Sequence, residues 1–550
     1  MSVSRRTFIG TAAGGAAAAA LGTLSAAPTA SAASGPGDVV GKVTVGYQGW
    51  FAAIGDGAPI NAWWHWSANG GQAPSPSNTG IVAWPDVRDY TRTYQTGYAA
   101  LGNGQPATLF SSYDQQTVDT HFLWMQQNGI DTAALQRFNP TGGEGPTRDA
   151  MTAKVRSAAE SHGRKFYIMY DVSDWTNMQS DIKADWTNKM KAYTASSAYA
   201  TQNGKPVVCI WGFGFADNQR PFSAAACLDV VNWFKGQGCY VIGGVPTWWR
   251  TGDRDSRPGF SDVYHAFHML SPWMVGRIGN AGDADNFYNV ATVPDLAECA
   301  AHGIDYQPCV LPGAVTLRQR AHGDFMWRQF YNMCRAGVQG IYISMFDEYN
   351  EGNQIAKTAE SQAWVPTNSG FLALDEDGTA CSADYYLRLT GDGGRMLKGQ
   401  IALTATRPTK PTAGSSGGPT TVVSFRARAN GQYVTADAGG ASPLIASRTS
   451  VGPWEQFDLL DQGGGNVALR AHANSLIVCA DNAGASPLIA NRTSAGAWET
   501  FQLVHNSNGT VSLKAQINGL YVTAENAGAA ALIANRATAG GWEQFDLITG

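Results

Sequence analysis

The sequence predicts an α/β fold, a (β/α)₈ barrel of the TIM type, followed by an all-β trefoil domain. Three observations predict this arrangement. Between residues 38 and 404, strand-like and helix-like stretches alternate. Residues 406–421 are rich in Pro, Gly, Ser and Thr and have no hydrophobic period, which indicates a linker. In residues 422–550, a Trp-Glu pair recurs every 44 residues, at Trp454, Trp498 and Trp542.

Eight stretches of the first region are predicted to be strands, because each is a short run of apolar and β-branched residues. They are Val43–Gln48, Thr132–Phe138, Lys165–Asp171, Val207–Phe213, Tyr240–Pro246, Met269–Val275, Tyr306–Leu311 and Ile341–Phe346. The stretches between them with apolar residues at helical spacing are predicted helices, namely Val118–Gln127, Arg148–His162, Ile182–Ser197, Ala224–Gly236 and Arg318–Ala336. Eight βα units indicate a barrel.

An open, doubly wound sheet is the alternative that fits the same alternation. A dinucleotide-binding sheet of that kind carries Gly-x-Gly-x-x-Gly after a strand, and no such motif stands in that context. The barrel is therefore favoured. The segment between the first strand and the helix near residue 118 is unusually long for a compact domain, and long ordered loops generally have a function.

The repeated region is predicted to be a trefoil. Short β-rich runs alternate with Asn-Gly or Asn-Ala-Gly turns, which is typical of hairpins. Three four-stranded units form a closed trefoil, whereas a propeller ordinarily needs at least four blades. The units resemble fascin-like trefoil modules through Tyr-Val-Thr-Ala and Trp-Glu-Gln-Phe, but lack the Gln-x-Trp signature of ricin-type lectins. An acidic residue recurs in them, either as a shallow glycan site or to close a turn, at Asp437, Asp481 and Glu525.

Residues 1–32 are predicted to be a twin-arginine export signal. Ser-Arg-Arg-Thr-Phe-Ile at residues 4–9 precedes a small, apolar run, and Ala-Ser-Ala at residues 30–32 offers a cleavage site. No later stretch has the roughly 20 apolar residues that a membrane span needs. We therefore expect a secreted, extracellular bacterial protein with no membrane partner.

Composition narrows the possible partners. The formal net charge of −5, from 38 basic and 43 acidic residues without long runs of like charge, leaves no electrostatic footprint for nucleic acid. The 18 Trp suit either a sugar-binding surface or a large aromatic core. The eight Cys match no zinc pattern, and no His/Asp/Glu cluster has ligand spacing, so neither a metal nor a cofactor is predicted. Cys209 is expected to be a buried thiol, and the protein a monomer.

The eighth predicted strand ends in a cluster of carboxylates. It places Asp347, Glu348 and Glu351 within five residues, at the strand end where the active sites of barrels lie. Neighbouring carboxylates repel one another and raise the pKa of at least one, as the pairing of a general acid with a base or nucleophile requires. A solvated acidic turn is the alternative, and the strand context favours the catalytic interpretation.

The motif around this cluster resembles a known family. Residues 346–355, Phe-Asp-Glu-Tyr-Asn-Glu-Gly-Asn-Gln-Ile, are similar to the Asn-Glu-Trp-His-Glu-Gly-Thr-Gln-Ile signature of family 99 endo-α-mannosidases. Other segments resemble the wider glycoside hydrolase family 71/99-like group: Gly-Tyr-Gln-Gly-Trp-Phe at 46–51, Trp-His-Trp at 64–66 and Gln-Arg-Phe at 136–138. The resemblance is patchy over residues 43–404, and the two-glutamate motif is its most specific part.

The resemblance implies a glycoside hydrolase that cleaves α-linked bonds in a polysaccharide or oligosaccharide. It implies Glu351 as the general acid/base at the glycosidic oxygen, and Glu348 as the partner carboxylate acting on the sugar 2-hydroxyl. The reaction then passes through a 1,2-anhydro sugar with net retention, and both side chains are expected to line a cleft. The sequence departs from the family pattern at Asp347, Tyr349 and Asn350, so the mannose specificity of family 99 is not carried over.

Residues at the other strand ends, together with the Trp-His-Trp segment, are predicted to bind the substrate. Trp and Tyr rings stack on sugar rings, while Arg and Asp side chains hydrogen-bond to hydroxyls. For each residue alone, a packing or ion-pair role is an equally good interpretation. The predicted substrate-binding residues are Tyr47, Trp50, His65, Trp66, Arg137, Tyr170, Asp171, Trp211, Trp249, Arg250, Trp273, Asp347 and Tyr349.

Two other function classes are the alternatives. A non-catalytic glycan-binding protein with a degenerate barrel is expected to have lost one of the two glutamates, and both are present. A serine or metal esterase has no supporting motif, since neither Gly-x-Ser-x-Gly nor His-Glu-x-x-His is found.

Overall fold

The computed structural model describes residues 34–412, 421–463, 465–474, 476–492, 495–506 and 508–549. The chain divides into two compact units between Pro411 and Thr412, inside the segment predicted to be a linker. The predicted export signal and residues 413–420 of the linker lie outside the described residues.

The first unit is built on a mainly parallel sheet. Its strands, with those of a small separate sheet, are β1 (Val43–Tyr47), β2 (Tyr94–Gln95), β3 (Thr108–Leu109), β4 (Thr132–Arg137), β5 (Lys165–Asp171), β6 (Thr201–Gln202), β7 (Lys205–Trp211), β8 (Tyr240–Val245), β9 (Met269–Pro272), β10 (Asp305–Tyr306), β11 (Cys309–Val310) and β12 (Ile341–Ile343). The order in the main sheet is β10-β9-β8-β7-β5-β4-β1-β12-β11, with β6 on β7, while β2 pairs only with β3. All neighbours along that order are parallel.

Each of the eight predicted strands contributes to this sheet, which confirms a TIM-like parallel α/β unit. The seventh is divided into β10 and β11, because Pro308 between them has no N–H to donate to a strand ladder. Strand β10 pairs with β9, and β11 pairs with β12. The first and last strands of the order, β10 and β11, are therefore separated along the chain only by Gln307 and Pro308. Closure into a complete barrel stays a prediction.

Helices alternate with the strands along the chain, and most have a buried face. They are α1 (Gln115–Gln127), α2 (Gly145–Ser161), α3 (Met178–Asn188), α4 (Ala224–Gly236), α5 (Ser261–His265), α6 (Ala281–Phe287), α7 (Val293–Ala301), α8 (Asp324–Ala336) and α9 (Tyr385–Leu397), with short 3₁₀ or π turns at Met190–Ala195, Tyr288–Thr292, Val315–Leu317, Ala321–Gly323 and Gln362–Trp364. Among the described residues, no helix has the length and apolarity of a membrane-spanning segment.

The predicted bounds of α4 are correct, and the residue just before this helix caps it. The helix over Ala224–Gly236 begins and ends as predicted, and Ser223 caps it by accepting the Ala226 N–H. The predicted helix at 318–336 begins only at residue 324. Arg318, Ala321 and His322 have positive φ angles of 52°, 44° and 39°, which an α-helix of L-residues does not accommodate.

The long segment between β1 and α1 is packed onto the sheet. Trp66 is fully buried, and the phenol of Tyr90 lies 2.8 Å from His121 Nε2 on α1. His121 Nδ1 lies 2.9 Å from the Tyr47 hydroxyl of β1. Burial lowers the pKa of His121 to about 3, so the imidazole is neutral, and the three side chains form a hydrogen-bonded chain that fixes this segment on the sheet.

The second unit is all-β, and its three repeats form equivalent groups of four strands. The strands are β13 (Thr421–Ala427), β14 (Tyr433–Thr435), β15 (Ile445–Arg448), β16 (Phe457–Gly463), β17 (Asn466–Ala471), β18 (Ile477–Ala480), β19 (Leu488–Arg492), β20 (Phe501–His505), β21 (Val511–Ala515), β22 (Tyr521–Ala524), β23 (Leu532–Arg536) and β24 (Phe545–Thr549). Phe457, Phe501 and Phe545 are buried at equivalent positions. The all-β class is confirmed, and the trefoil assignment stays a prediction.

The cysteines are thiols. All eight lie among the described residues, and each is free. Cys209 is buried in β7, and burial raises its pKa, as the sequence predicts for a thiol in an apolar strand.

Candidate active site

The carboxylate cluster lies in the turn that follows β12. The carbonyl of Glu348 accepts the N–H of Glu351 at 3.2 Å and that of Gly352 at 3.0 Å, so the two glutamates share one tight turn. Glu348 has no exposed surface and Glu351 is 3% exposed. Both side chains are therefore enclosed by protein, and their place in a substrate cleft stays a prediction. Burying two carboxylates on one turn is unfavourable, and buried ionisable groups cluster at functional sites.

Asp347 fixes this turn to the end of β1. Its Oδ1 accepts the backbone N–H of Gln48 and its Oδ2 that of Gly49, both at 2.8 Å. Gly49 has a φ of 55°, which glycine adopts without strain. Burial raises the pKa of Asp347 to about 6, although the two N–H bonds and Arg148 act in the opposite direction. Asp347, predicted to bind substrate, is thus a residue that positions the turn.

Gln48 connects the glutamate turn to α2. Its Nε2 donates to Glu348 Oε1 at 3.2 Å, and its backbone carbonyl accepts from Arg148 at 2.5 Å. Arg148 also donates through Nε to Glu144 at 3.0 Å. Among the described residues, Gln48 Oε1 is buried without a hydrogen-bond partner. This oxygen is an acceptor beside a candidate catalytic carboxylate.

Trp50 and His65 form a stacked pair next to Arg148. Their ring centroids are 3.7 Å apart, and Phe138 stacks on Trp50 at 5.4 Å. The Arg148 guanidinium lies 5.9 Å from the Trp50 ring. Burial and Arg148 hold the pKa of His65 well below its usual value, so the ring is neutral. Within the described part of the chain, Trp50 Nε1 and His65 Nε2 have no hydrogen-bond partner, and buried polar atoms normally have one.

Arg137 and Tyr170, both predicted to bind substrate, are bound to other residues inside the protein. Arg137 donates to the two oxygens of Asp185 at 2.6 and 2.5 Å, and to Asp149 at 2.6 Å. The Tyr170 hydroxyl donates to Asp185 at 2.9 Å. Both side chains belong to a buried ion-pair network between β4, β5 and α3, and their contact with substrate stays a prediction.

Three predicted aromatic residues belong to the core. Tyr47, Trp66 and Tyr349 have no exposed surface. Trp66 Nε1 donates to the Phe110 carbonyl at 2.9 Å, and the Tyr349 hydroxyl donates to the Lys357 carbonyl at 2.8 Å. Their rings and polar atoms have partners inside the protein, and their contact with substrate stays a prediction.

Trp249 and Arg250 are held by a buried carboxylate on α7. Trp249 Nε1 and Arg250 Nε each donate to Asp295 at 3.0 Å. Tyr306 lies 3.3 Å from the same carboxylate, whose pKa burial raises to about 7. This network positions both side chains, and their contact with substrate stays a prediction.

The other predicted residues lie at strand ends, as expected. Trp211, the last residue of β7, and Trp273, directly after β9, form an edge-to-face pair with centroids 5.4 Å apart. Asp171, at the end of β5, accepts from the backbone N–H and the hydroxyl of Ser173 at 3.0 and 2.7 Å. Their contact with substrate stays a prediction.

Two residues of the site are missing from the sequence-based prediction. Gln48 lies at the end of the first predicted strand, so an inspection of every strand-end residue would include it. Arg148 lies in α2, 100 residues from Gln48 along the chain, and no local pattern marks it.

A cavity of about 300 Å³ is lined by a different set of residues. None of the described residues around it belongs to the predicted site. Trp84, Asp86, Arg88 and Trp364 line it, and Arg88 lies 4.1 Å from the centre of the Trp364 ring. We do not assign it to the active site.

The recurring acidic residues of the second unit form ion pairs. Each binds an arginine at the end of the third strand of its repeat, in the pairs Asp437–Arg448 at 2.8 Å, Asp481–Arg492 at 2.9 Å and Glu525–Arg536 at 2.8 Å. These contacts favour a turn-closing role over a glycan site.

Comparison with known proteins leaves the family open. No protein-family model matches the chain, and no curated protein does. Among solved structures, a GH99 endo-α-mannosidase from Bacteroides thetaiotaomicron is similar with a TM-score of 0.47 and 14% identity, over 66% of this chain and 98% of that one. The designed threefold-symmetric protein ThreeFoil is similar with a TM-score of 0.22 and 24% identity, over 23% of this chain and 97% of that one. Likenesses of this size do not establish a family.

Proposed function

We propose that this protein is a glycoside hydrolase that cleaves α-linked glycosidic bonds in a polysaccharide or oligosaccharide. The observation that carries the proposal is the enclosed pair Glu348 and Glu351 on one turn after β12. Paired carboxylates are the usual catalytic groups of glycosidases. Their place at the carboxyl end of a parallel strand is where (β/α)₈ barrels hold their active sites, and the proposal includes closure of the barrel.

In the proposed reaction, Glu348 removes the proton of the sugar 2-hydroxyl, and the freed oxygen attacks C1. The bond between C1 and the glycosidic oxygen breaks, and Glu351 donates its proton to the departing oxygen. Glu351 then takes a proton from water as the water oxygen attacks C1 and opens the 1,2-anhydro ring, while Glu348 returns its proton to O2. Two displacements at C1 give net retention.

Three buried polar atoms support substrate binding, on Gln48 and on the Trp50–His65 pair that Arg148 connects to it. Gln48 Oε1 accepts hydrogen bonds, Trp50 Nε1 donates them, and neutral His65 offers Nε2, all without partners in the described residues. Sugar hydroxyls both donate and accept, so they match such a mixed set. We assign hydroxyl binding to these three side chains.

The proposal is tested by offering the purified full-length protein mannans, α-1,3-glucan and arabinose- or xylose-containing polymers, and measuring released sugars. We expect one class to be degraded. E348Q and E351Q are each expected to lower kcat by ~10²–10⁴, the usual contribution of a general acid or base, without lowering the melting temperature, because each removes a buried charge and keeps the shape of the side chain. E160Q is the matched control, since Glu160 lies exposed on α2.

Two results would contradict this assignment in different ways. Near wild-type kcat in E348Q or E351Q would make the assigned roles wrong. Retention of wild-type protein on a polymer without any release of sugar would instead favour the non-catalytic glycan-binding alternative.

The proposal also covers the predicted export signal and the second unit. The predicted twin-arginine signal at residues 1–32 would export the enzyme to extracellular substrate. In the second unit, Trp454 and Trp542 are each 40% exposed at equivalent positions, and exposed rings of this kind bind sugar faces. We assign to this unit the retention of the enzyme on insoluble substrate.

A further inference from the structure

Three metal-ligating side chains converge outside the candidate active site. His265 ends α5, Glu298 lies on α7, and His302 directly follows α7. Glu298 and His302 are four residues apart, which places both on one face of a helix. The ligand atoms of all three lie within 4.8 Å of one another. The sequence predicts no metal site because His265 is remote along the chain and the Glu-x-x-x-His spacing alone is uninformative.

The geometry is close to that of a formed site. Both histidines direct Nε2 at the same oxygen, Glu298 Oε1, at 3.1 Å from His265 and 3.2 Å from His302. Zinc bonds to nitrogen and oxygen of ~2.0–2.2 Å place the ligands of a tetrahedral site ~3.3–3.6 Å apart. These separations suit a bound ion, and one of the two stacked imidazoles must turn so that both Nε2 lone pairs point at it.

The two imidazoles are stacked on each other. Their centroids are 3.6 Å apart, with 15° between the ring planes. Imidazole binds a metal ion through a ring nitrogen, and two imidazoles with one carboxylate can share a divalent ion. The side chains are 25%, 34% and 42% exposed, so an ion can enter and keep a water ligand.

The donor set selects the class of metal. Two imidazole nitrogens and one carboxylate suit Zn²⁺ and similar first-row divalent ions, whereas Mg²⁺ and Ca²⁺ prefer oxygen ligands. The site joins two consecutive connections of the sheet, because α5 lies between β8 and β9 and α7 lies between β9 and β10. Trp249 meets His265 edge-on at 6.4 Å and donates to Asp295, one turn before Glu298.

We propose that His265, Glu298 and His302 bind one first-row divalent transition metal ion, with Zn²⁺ as its representative. The ion links α5 to α7 and stabilises the first unit from outside the active site. The proposal does not depend on the proposed glycosidase activity.

The test uses full-length protein treated with EDTA and then dialysed, titrated with ZnCl₂ in a calorimeter and melted with and without the metal. We expect one equivalent of Zn²⁺ to bind the wild type and raise its melting temperature, since a ligand of the folded state stabilises it. MgCl₂ should do neither. H265A and H302A are each expected to weaken Zn²⁺ binding by at least ~100-fold, above the usual effect of losing a residue that merely supports a ligand.

H322A is the matched control, because His322 lies between Asp324 at 3.0 Å and Asp377 at 2.8 Å without a second imidazole. It should keep wild-type affinity. Metal-free melting temperatures check that the variants fold. Bound Co²⁺ should give an absorption spectrum of nitrogen and oxygen ligation that H302A loses. No Zn²⁺ binding by the wild type, or equal binding by the H265A/H302A double variant, would overturn the proposal.

Discussion

At the scale of single residues, the candidate site is set by the hydrogen bonds of buried charges, which strand-end positions alone do not reveal. The sequence predicts Glu348, Glu351 and Asp347 at the end of the eighth strand, and all three lie in the turn that follows β12. It does not show that the polar atoms of Arg137 and Tyr170 turn towards Asp185, because Asp185 lies in a helix with no marker of its own. A residue type fixes what a side chain can bind, and only packing fixes what it does bind.

Asp347 gives a pH-dependent prediction. Its pKa is about 6 in the folded protein against an ordinary value of 3.8, so folding favours the protonated form. The stability it contributes is fully present below pH ~4 and is lost as the pH rises through about 6. D347N carries no such charge. We expect the melting temperature of the wild type, measured relative to D347N, to fall between pH 4 and 7.

The control for this measurement is D229N, since Asp229 is an exposed residue whose pKa Lys183 lowers. The melting temperature of D229N, measured relative to the wild type, should not increase as the pH rises. A difference between wild type and D347N that stays constant from pH 4 to 7 would show that Asp347 is not protonated on folding.

At the scale of elements, apolar runs predict strands better than amphipathic patterns predict helix starts. The strands are buried on both faces, so they read as continuous apolar segments. The start of α8 is missed because His322 and its neighbours take positive φ, and nothing in their residue types demands that. The split of the seventh strand, by contrast, follows from Pro308, which the sequence shows directly.

The Arg137–Asp185 pair, which joins β4 to α3, gives a prediction at this scale. R137M leaves the Asp185 carboxylate buried without its bidentate partner, and breaking such a pair costs about 3–5 kcal/mol of the free energy of unfolding. The loss is measured by urea unfolding. K183M removes the exposed pair Lys183–Asp229 and should cost under ~1 kcal/mol.

The same variant separates a structural role from a substrate-binding one. If Arg137 acts only through the fold, KM of the folded R137M protein stays at the wild-type value once a substrate is known. A raised KM with unchanged stability would show that Arg137 contacts the substrate.

At the scale of the whole molecule, the repeat length and the composition of the linker predict the division into two units. The boundary between Pro411 and Thr412 falls within the predicted linker. Each unit has its own hydrophobic core. What the sequence does not show is the partner of each acidic residue in the repeats, because the arginines that bind them stand eleven residues further along the chain.

These separate cores predict that the two units fold independently. Residues 34–411 and 421–550, expressed apart, should each melt cooperatively, and the first should keep full activity on soluble substrate. The second should be retained on insoluble polymer through Trp454 and Trp542, so the W454A/W542A variant should not be retained. The control D437A, which removes only the ion pair to Arg448, should be retained like the wild type. Aggregation of the 421–550 fragment would contradict independent folding. Equal retention of the tryptophan variant would show that these rings do not hold the polymer.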